Sequence, residues 1–169
     1  MRFRHRLDRA VPDPASTAAS WRFALPHTTA AVPLARALVR NTLADTGAPV
    51  DGHTAELLTA ELVANAVQHT DGDEPIELVV ELTPDGAWQV EVHDQDPNPP
   101  AALRAPDARS GPGTGSGPGA PDRPDGPDPR EVSERGRGLQ LLRTLSAEAG
   151  YRPTPEGKAV WFRLPGGAR

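Results

Sequence analysis

The chain has 169 residues, enough for one domain with its own core, and carries a net charge of −5 with a pI near 5.5. That balance argues against non-specific binding of nucleic acid and against adhesion to an anionic membrane. There is no cysteine, hence no disulfide and no thiolate metal site. No apolar run approaches the roughly 20 residues of a membrane span. No apolar signal core follows the basic N-terminus, so a cytoplasmic protein is expected.

Residues 1–20 hold charges, prolines and small residues with little apolar periodicity, and a mobile tail is expected. Its basic cluster of Arg2, Arg4, His5, Arg6 and Arg9 is either solvated or meets an acidic partner. Trp21, Phe23 and Leu25 alternate with other residues up to Pro26, the pattern of a short edge strand. Thr28 or Thr29 is placed to cap the helix that follows. Val32, Ala35, Val39 and Leu43, flanked by Leu34 and Leu38, give that helix an apolar face, and Thr46-Gly47-Ala48-Pro49 ends it.

Asp51 is a plausible N-cap for a second helix over about 52–70. At about 100° per residue, Glu61, Asn65, Gln68 and His69 share one side, and Leu62, Val63, Ala66 and Val67 the other. The polar side presents a carboxylate and an amide one turn apart. Such a pair is either a solvated face or a site for a hard cation or a reacting hydroxyl. His69, at the helix end, suits a carbonyl-capping role.

Ile76, Leu78, Val80 and Leu82 alternate with Glu77, Val79 and Glu81, the mark of a half-buried strand. Pro84-Asp85-Gly86 turns the chain, and the next strand has Trp88, Val90 and Val92 inward against Gln89, Glu91 and His93 outward. Asp94 shares the parity of Trp88, Val90 and Val92, so it points to the buried side and needs a hydrogen-bond partner there. That partner belongs to a turn or cap, or to a ligand.

Between Pro106 and Pro129 about half the positions are Gly or Pro, and no core can form. A loop of that length inside a domain is often a lid. Order resumes at Glu134-Arg135-Gly136-Arg137-Gly138-Leu139, where two glycines open a helix containing Leu139, Leu141, Leu142 and Leu145. Backbone N–H groups at such a start can meet an anion, although Gly-x-Gly also serves as an ordinary flexible entry. A last hairpin joins the segment near 150–154 to Val160, Phe162 and Leu164 through Pro155-Glu156-Gly157-Lys158, with Lys158 expected in the turn and solvated. Trp88 and Trp161 are candidates for the core or for a dimer surface.

The order of these parts resembles the GHKL ATPase superfamily, the Bergerat fold of histidine-kinase catalytic domains and gyrase B. The stretches Glu61-Leu62-Val63-Ala64-Asn65-Ala66-Val67-Gln68-His69, Arg135-Gly136-Arg137-Gly138-Leu139 and Gly157-Lys158-Ala159-Val160-Trp161-Phe162 look like small bacterial relatives of anti-sigma factor serine/threonine kinases. The resemblance implies an α+β two-layer sandwich whose mixed, mainly antiparallel sheet is covered on one face by helices. It places an ATP-binding domain at 21–164, a lid at about 95–135 and a C-terminal tail at 165–169. It implies ATP and Mg²⁺, with Asn65 as the metal ligand, Glu61 as the catalytic base and Asp94 on the adenine amino group. Arg135, Gly136, Arg137, Gly138 and Leu139 would meet the phosphates.

Implied partners are an anti-sigma factor antagonist, a sigma factor and a second copy of the chain, with no nucleic acid or membrane. The alternative is a non-catalytic nucleotide-sensing module that sequesters a transcription regulator. One departure stands out. The family's Asp-x-Gly-x-Gly box is here Asp94-Gln95-Asp96-Pro97-Asn98, whose Asp and Asn tolerate a left-handed backbone.

Overall fold

A computed structural model describes residues 19–100, 103 and 138–166. Strand β1 (Ala19–Leu25) leads into helices α1 (Ala31–Thr46) and α2 (Gly52–His69), then into the hairpin of β2 (Ile76–Leu82) and β3 (Trp88–Asp94). A third helix, α3, covers 138–145. The hairpin of β4 (Glu148–Pro153) and β5 (Lys158–Leu164) closes the order. The sheet runs β1-β2-β3-β5-β4, and all its pairings are antiparallel. This is the expected α+β architecture. Helix α2 packs on β3, β5 and β2, while α1 packs mainly on α2.

The strand alternation carries through. Leu25, Leu78, Val80, Trp88, Val90 and Phe162 are buried against Leu58, Leu62 and Val63 of α2. Each such side chain removed from water contributes about 1.5–3 kcal/mol. Trp88 is core, where it stands 6.1 Å from Trp21 between ring centroids. Trp161 lies on the other face, half-buried, and its indole covers Gly150.

Helix α1 differs from expectation at its start. Its N-cap is Ala30 and no side chain caps it. The Thr28 and Thr29 carbonyls accept from Ala31 N (2.9 Å) and Val32 N (3.3 Å) instead. Pro33 is the third helical residue and has no N–H, so a threonine hydroxyl would have one donor fewer to satisfy. The buried line is Ala31, Ala35, Val39 and Thr42, with Leu43 only partly covered. Thr42 is tolerated there because its hydroxyl donates to Leu38 O (2.8 Å). Helix α2 begins as expected, with Asp51 accepting from His53 N at 3.1 Å. Its far end does not. His69 is exposed, and the Val67 carbonyl lies 3.3 Å from Nε2 of His27, forty positions away.

The sheet face away from the helices carries charge. Glu91 is nevertheless buried, and its carboxylate meets His93 Nε2 (3.0 Å), Arg152 (2.7 Å) and Gln89 Nε2 (3.0 Å). The His93 hydrogen bond, aided by Arg152, holds the Glu91 carboxyl down at about 2. Val79, expected to face outward, is also buried on this side, in register with Arg22 and Glu91.

Candidate functional site

Asp94 is the last residue of β3 and points inward among the core side chains, as its parity requires. Directly across the ladder stands Lys158, the first residue of β5. Both are buried, at 6% and 4% exposure. Lys158 Nζ donates to Asp94 Oδ1 at 2.9 Å, to the Asp96 carbonyl at 3.1 Å and to Asp96 Oδ2 at 3.1 Å. This corrects the sequence expectation of a solvated turn lysine. The strand starts two residues earlier than Val160, and Lys158 shares the parity of Val160, Phe162 and Leu164.

Burial pushes the Asp94 carboxyl above its ordinary value, and the Lys158 ammonium pulls against that shift. Gly157 lets this floor close. A methyl group at that position would overlap the Asp94 carbonyl and the Gln95 backbone.

The segment after Asp94 turns without glycine, and no non-glycine residue among those described has a positive φ. Left-handed geometry is therefore not how Asp96 and Asn98 make the turn. Side-chain oxygens do it instead. Asp94 Oδ1 accepts from Asp96 N (2.9 Å), and Asp96 Oδ1 accepts from Asn98 N (2.9 Å) and Asn98 Nδ2 (2.8 Å). These two successive Asx turns replace the turn that glycines would give. The Lys158 ammonium ties them to β5.

The wall beside the floor is α2. Asn65 is half-buried, yet its Nδ2 is enclosed without a hydrogen-bond partner. A buried amide left unpaired costs about 1–3 kcal/mol, a cost that a ligand drawing on this group can relieve. One turn earlier, Glu61 lies against the start of the described part of α3. A methyl group on Gly138 would overlap the Glu61 carboxylate. Helix α3 holds Gly138, Leu139 and Leu142 buried, half-buries Leu141 and exposes Leu145. Among the described residues no cluster of three or more His, Cys, Asp or Glu could hold a metal ion. A cation at Asn65 would thus take most of its ligands from phosphate and water.

The profile of one protein family, described as the histidine kinase-like ATPase domain, matches residues 25–164. The chain belongs to that family. The ATPase family is one of ATP-binding domains, and its residues here run from the end of β1 to the end of β5. No curated protein matches the chain. Among solved structures it is similar to the crystal structure of the RsbU and RsbW domains of Rv1364c from Mycobacterium tuberculosis. The TM-score is 0.58 at 18% identity, over 89% of this chain and 33% of that one. The chain thus spans about a third of that relative's length, and the likeness is one of fold.

Within this ATPase domain, Glu61, Asn65 and Asp94 are carried by α2 and β3, which pack together, and Gly138 meets Glu61 directly. Leu139 is buried beside Gly138. Arg135, Gly136, Arg137 and most of the expected lid lie outside the described residues. Lys158, expected in the turn and solvated, and Asp96, named only within the glycine-free box, join the candidate site. Extending the alternation of β5 back by one step would have found Lys158, whereas Asp96 carried no periodic signal. No helix among the described residues is long and apolar enough to cross a membrane.

Proposed function

We propose that the chain is an ATP-dependent serine/threonine protein kinase of the anti-sigma factor type. It would phosphorylate an anti-sigma factor antagonist, also bind a sigma factor, and act as a homodimer. The observation that carries this reading is the α2 face. The unpaired amide of Asn65 and the carboxylate of Glu61 sit one turn apart, with Glu61 pressed on Gly138 at α3. Membership of the ATPase family supplies ATP as phosphoryl donor, and the fold likeness to a structure containing an RsbW domain supports the subtype.

In this reading Asp94 accepts the adenine amino group on the floor. Asn65 would hold Mg²⁺ through Oδ1, its enclosed Nδ2 would donate to a phosphate oxygen, and the ion would supply charge neutralisation at the phosphates. Glu61 accepts the proton of the acceptor hydroxyl as its oxygen bonds to the γ-phosphorus. The bond from that phosphorus to the β–γ bridging oxygen breaks, and ADP leaves. Backbone amides in the Arg135-Gly136-Arg137-Gly138-Leu139 stretch would meet the phosphates.

The test is transfer of labelled γ-phosphate to a cognate antagonist, with Glu61→Ala as control. Transfer lost in the variant while ATP binding persists supports the kinase. Tight ATP binding by the wild type without transfer refutes it. A second reading, a nucleotide-sensing module that sequesters a regulator without chemistry, is favoured by the glycine-free turn locked by Lys158. It predicts nucleotide-dependent partner affinity that survives Glu61→Ala.

A further inference from the structure

Lys158 is a buried ammonium with three N–H donors and three close acceptors: Asp94 Oδ1, the Asp96 carbonyl and Asp96 Oδ2. It has no donor left for a nucleotide. Its influence on one must pass through the groups it holds. Asp94 Oδ1 receives both Lys158 Nζ and Asp96 N, each at 2.9 Å. Two donors converging on one oxygen restrict the rotation of the carboxylate plane and leave Oδ2 as the oxygen available to a ligand. The ammonium also keeps the carboxylate charged in a place where burial disfavours charge. Gly157 brings the start of β5 close enough for this, since any side chain there would strike the backbone after Asp94.

We propose that Lys158 is a positioning residue for base recognition, which makes Asp94 a charged acceptor of fixed direction for an exocyclic amino group. The inference rests on the ATP reading above and adds to it the residue that sets base selectivity. A hydrogen bond from a neutral amino group to a carboxylate is strong only while that carboxylate is ionised and aligned. With Lys158 gone, the Asp94 carboxyl is freer to turn and to take up a proton, and a protonated carboxyl accepts more weakly from an amino group, so the distinction between a base that carries one and a base that lacks it shrinks. Asp96 enters the same device, because it shares the ammonium and supplies the N–H on Oδ1.

The experiment compares the affinity of the full chain for ATP and for purine riboside triphosphate, which lacks only the 6-amino group. The wild type is expected to prefer ATP by about 10- to 100-fold. In Lys158→Met the preference is expected to fall to within about threefold of unity, with affinity for the purine analogue little changed. A structural role alone would weaken both nucleotides together and leave their ratio intact. A Lys158→Met chain that keeps the wild-type ratio overturns the inference and leaves the ATP reading standing. A wild-type chain that binds neither nucleotide overturns both.

Should Lys158→Met not fold, the pair Asp94→Asn and Asp94→Asn/Lys158→Met replaces it, because the unpaired carboxylate at 94 is then absent. If Lys158 acts through Asp94, the two chains bind ATP alike. A further loss in the double variant would show an independent contact to the nucleotide and would overturn the inference.

Discussion

The two faces of β3 hold carboxylates of opposite character. On the open face, Glu91 is met by His93, Arg152 and Gln89, and its carboxyl is held down at about 2. On the helix side, three residues further along, Asp94 receives one ammonium and one backbone N–H, both on the same oxygen. Burial pushes its carboxyl upward. Glu91 is satisfied by the protein and stabilises it. Asp94 is only partly satisfied, and its burial works against stability in the absence of a ligand. That contrast marks Asp94, and not Glu91, as the candidate ligand contact of the strand.

The comparison can be broken hardest at Gly157. Gly157→Ala forces β5 away from the backbone after Asp94, and a loss of about 3 kcal/mol in unfolding free energy is expected by urea titration. Glu91 should keep its partners in that variant. Asp94→Asn exchanges the charged acceptor for a neutral amide. ATP affinity should fall about 30-fold in calorimetry, and the thermal midpoint should fall too, because the buried Lys158 ammonium loses the carboxylate it faces.

Glu91→Gln acts on the other face and should leave ATP affinity unchanged. It is expected to cost about 1–2 kcal/mol of stability at pH 7. The sign with pH follows from the lowered carboxyl. Stability from Glu91 is fully present above the ordinary glutamate range and is lost as pH falls from there towards about 2. The gap between wild type and Glu91→Gln should therefore narrow as urea titrations move from pH 6 to pH 3. The smallest effect is expected at Arg40→Ala. Exposed Arg40 grips half-buried Glu56 at two points, and its loss should give a small downward shift of the melting curve.

Alternation made both faces of β3 legible in the sequence, because a strand repeats every two residues whatever it pairs with. Asp94 is visible in that way, and so are the Trp88, Val90 and Val92 core positions. Lys158 obeys the same rule, but Pro155-Glu156-Gly157 is a turn signal so strong that it hid the first residue of β5. What faces Asp94 depends on the register of two strands separated by 64 positions, which no local pattern encodes. The contact of His27 with the Val67 carbonyl was out of reach for the same reason. Helix starts were legible where a side chain caps, as at Asp51, and not where backbone carbonyls do so, as ahead of Pro33. The Glu61–Asn65 pair was legible as a spacing, and its closeness to Gly138 only as a structure.

The three tryptophans of the chain are divided by the sheet in a way that makes them optical reporters. Trp21 and Trp88 form a tilted pair on the helix side, 6.1 Å apart with 34° between planes, while Trp161 lies over Gly150 on the opposite side. Replacing Trp161 by Phe would leave tryptophan emission from the Trp21–Trp88 pair alone. Trp88 opens the strand that Asp94 ends, so the pair would follow the packing of the β1–β2–β3 core at the far end of the sheet from that carboxylate, without any added label.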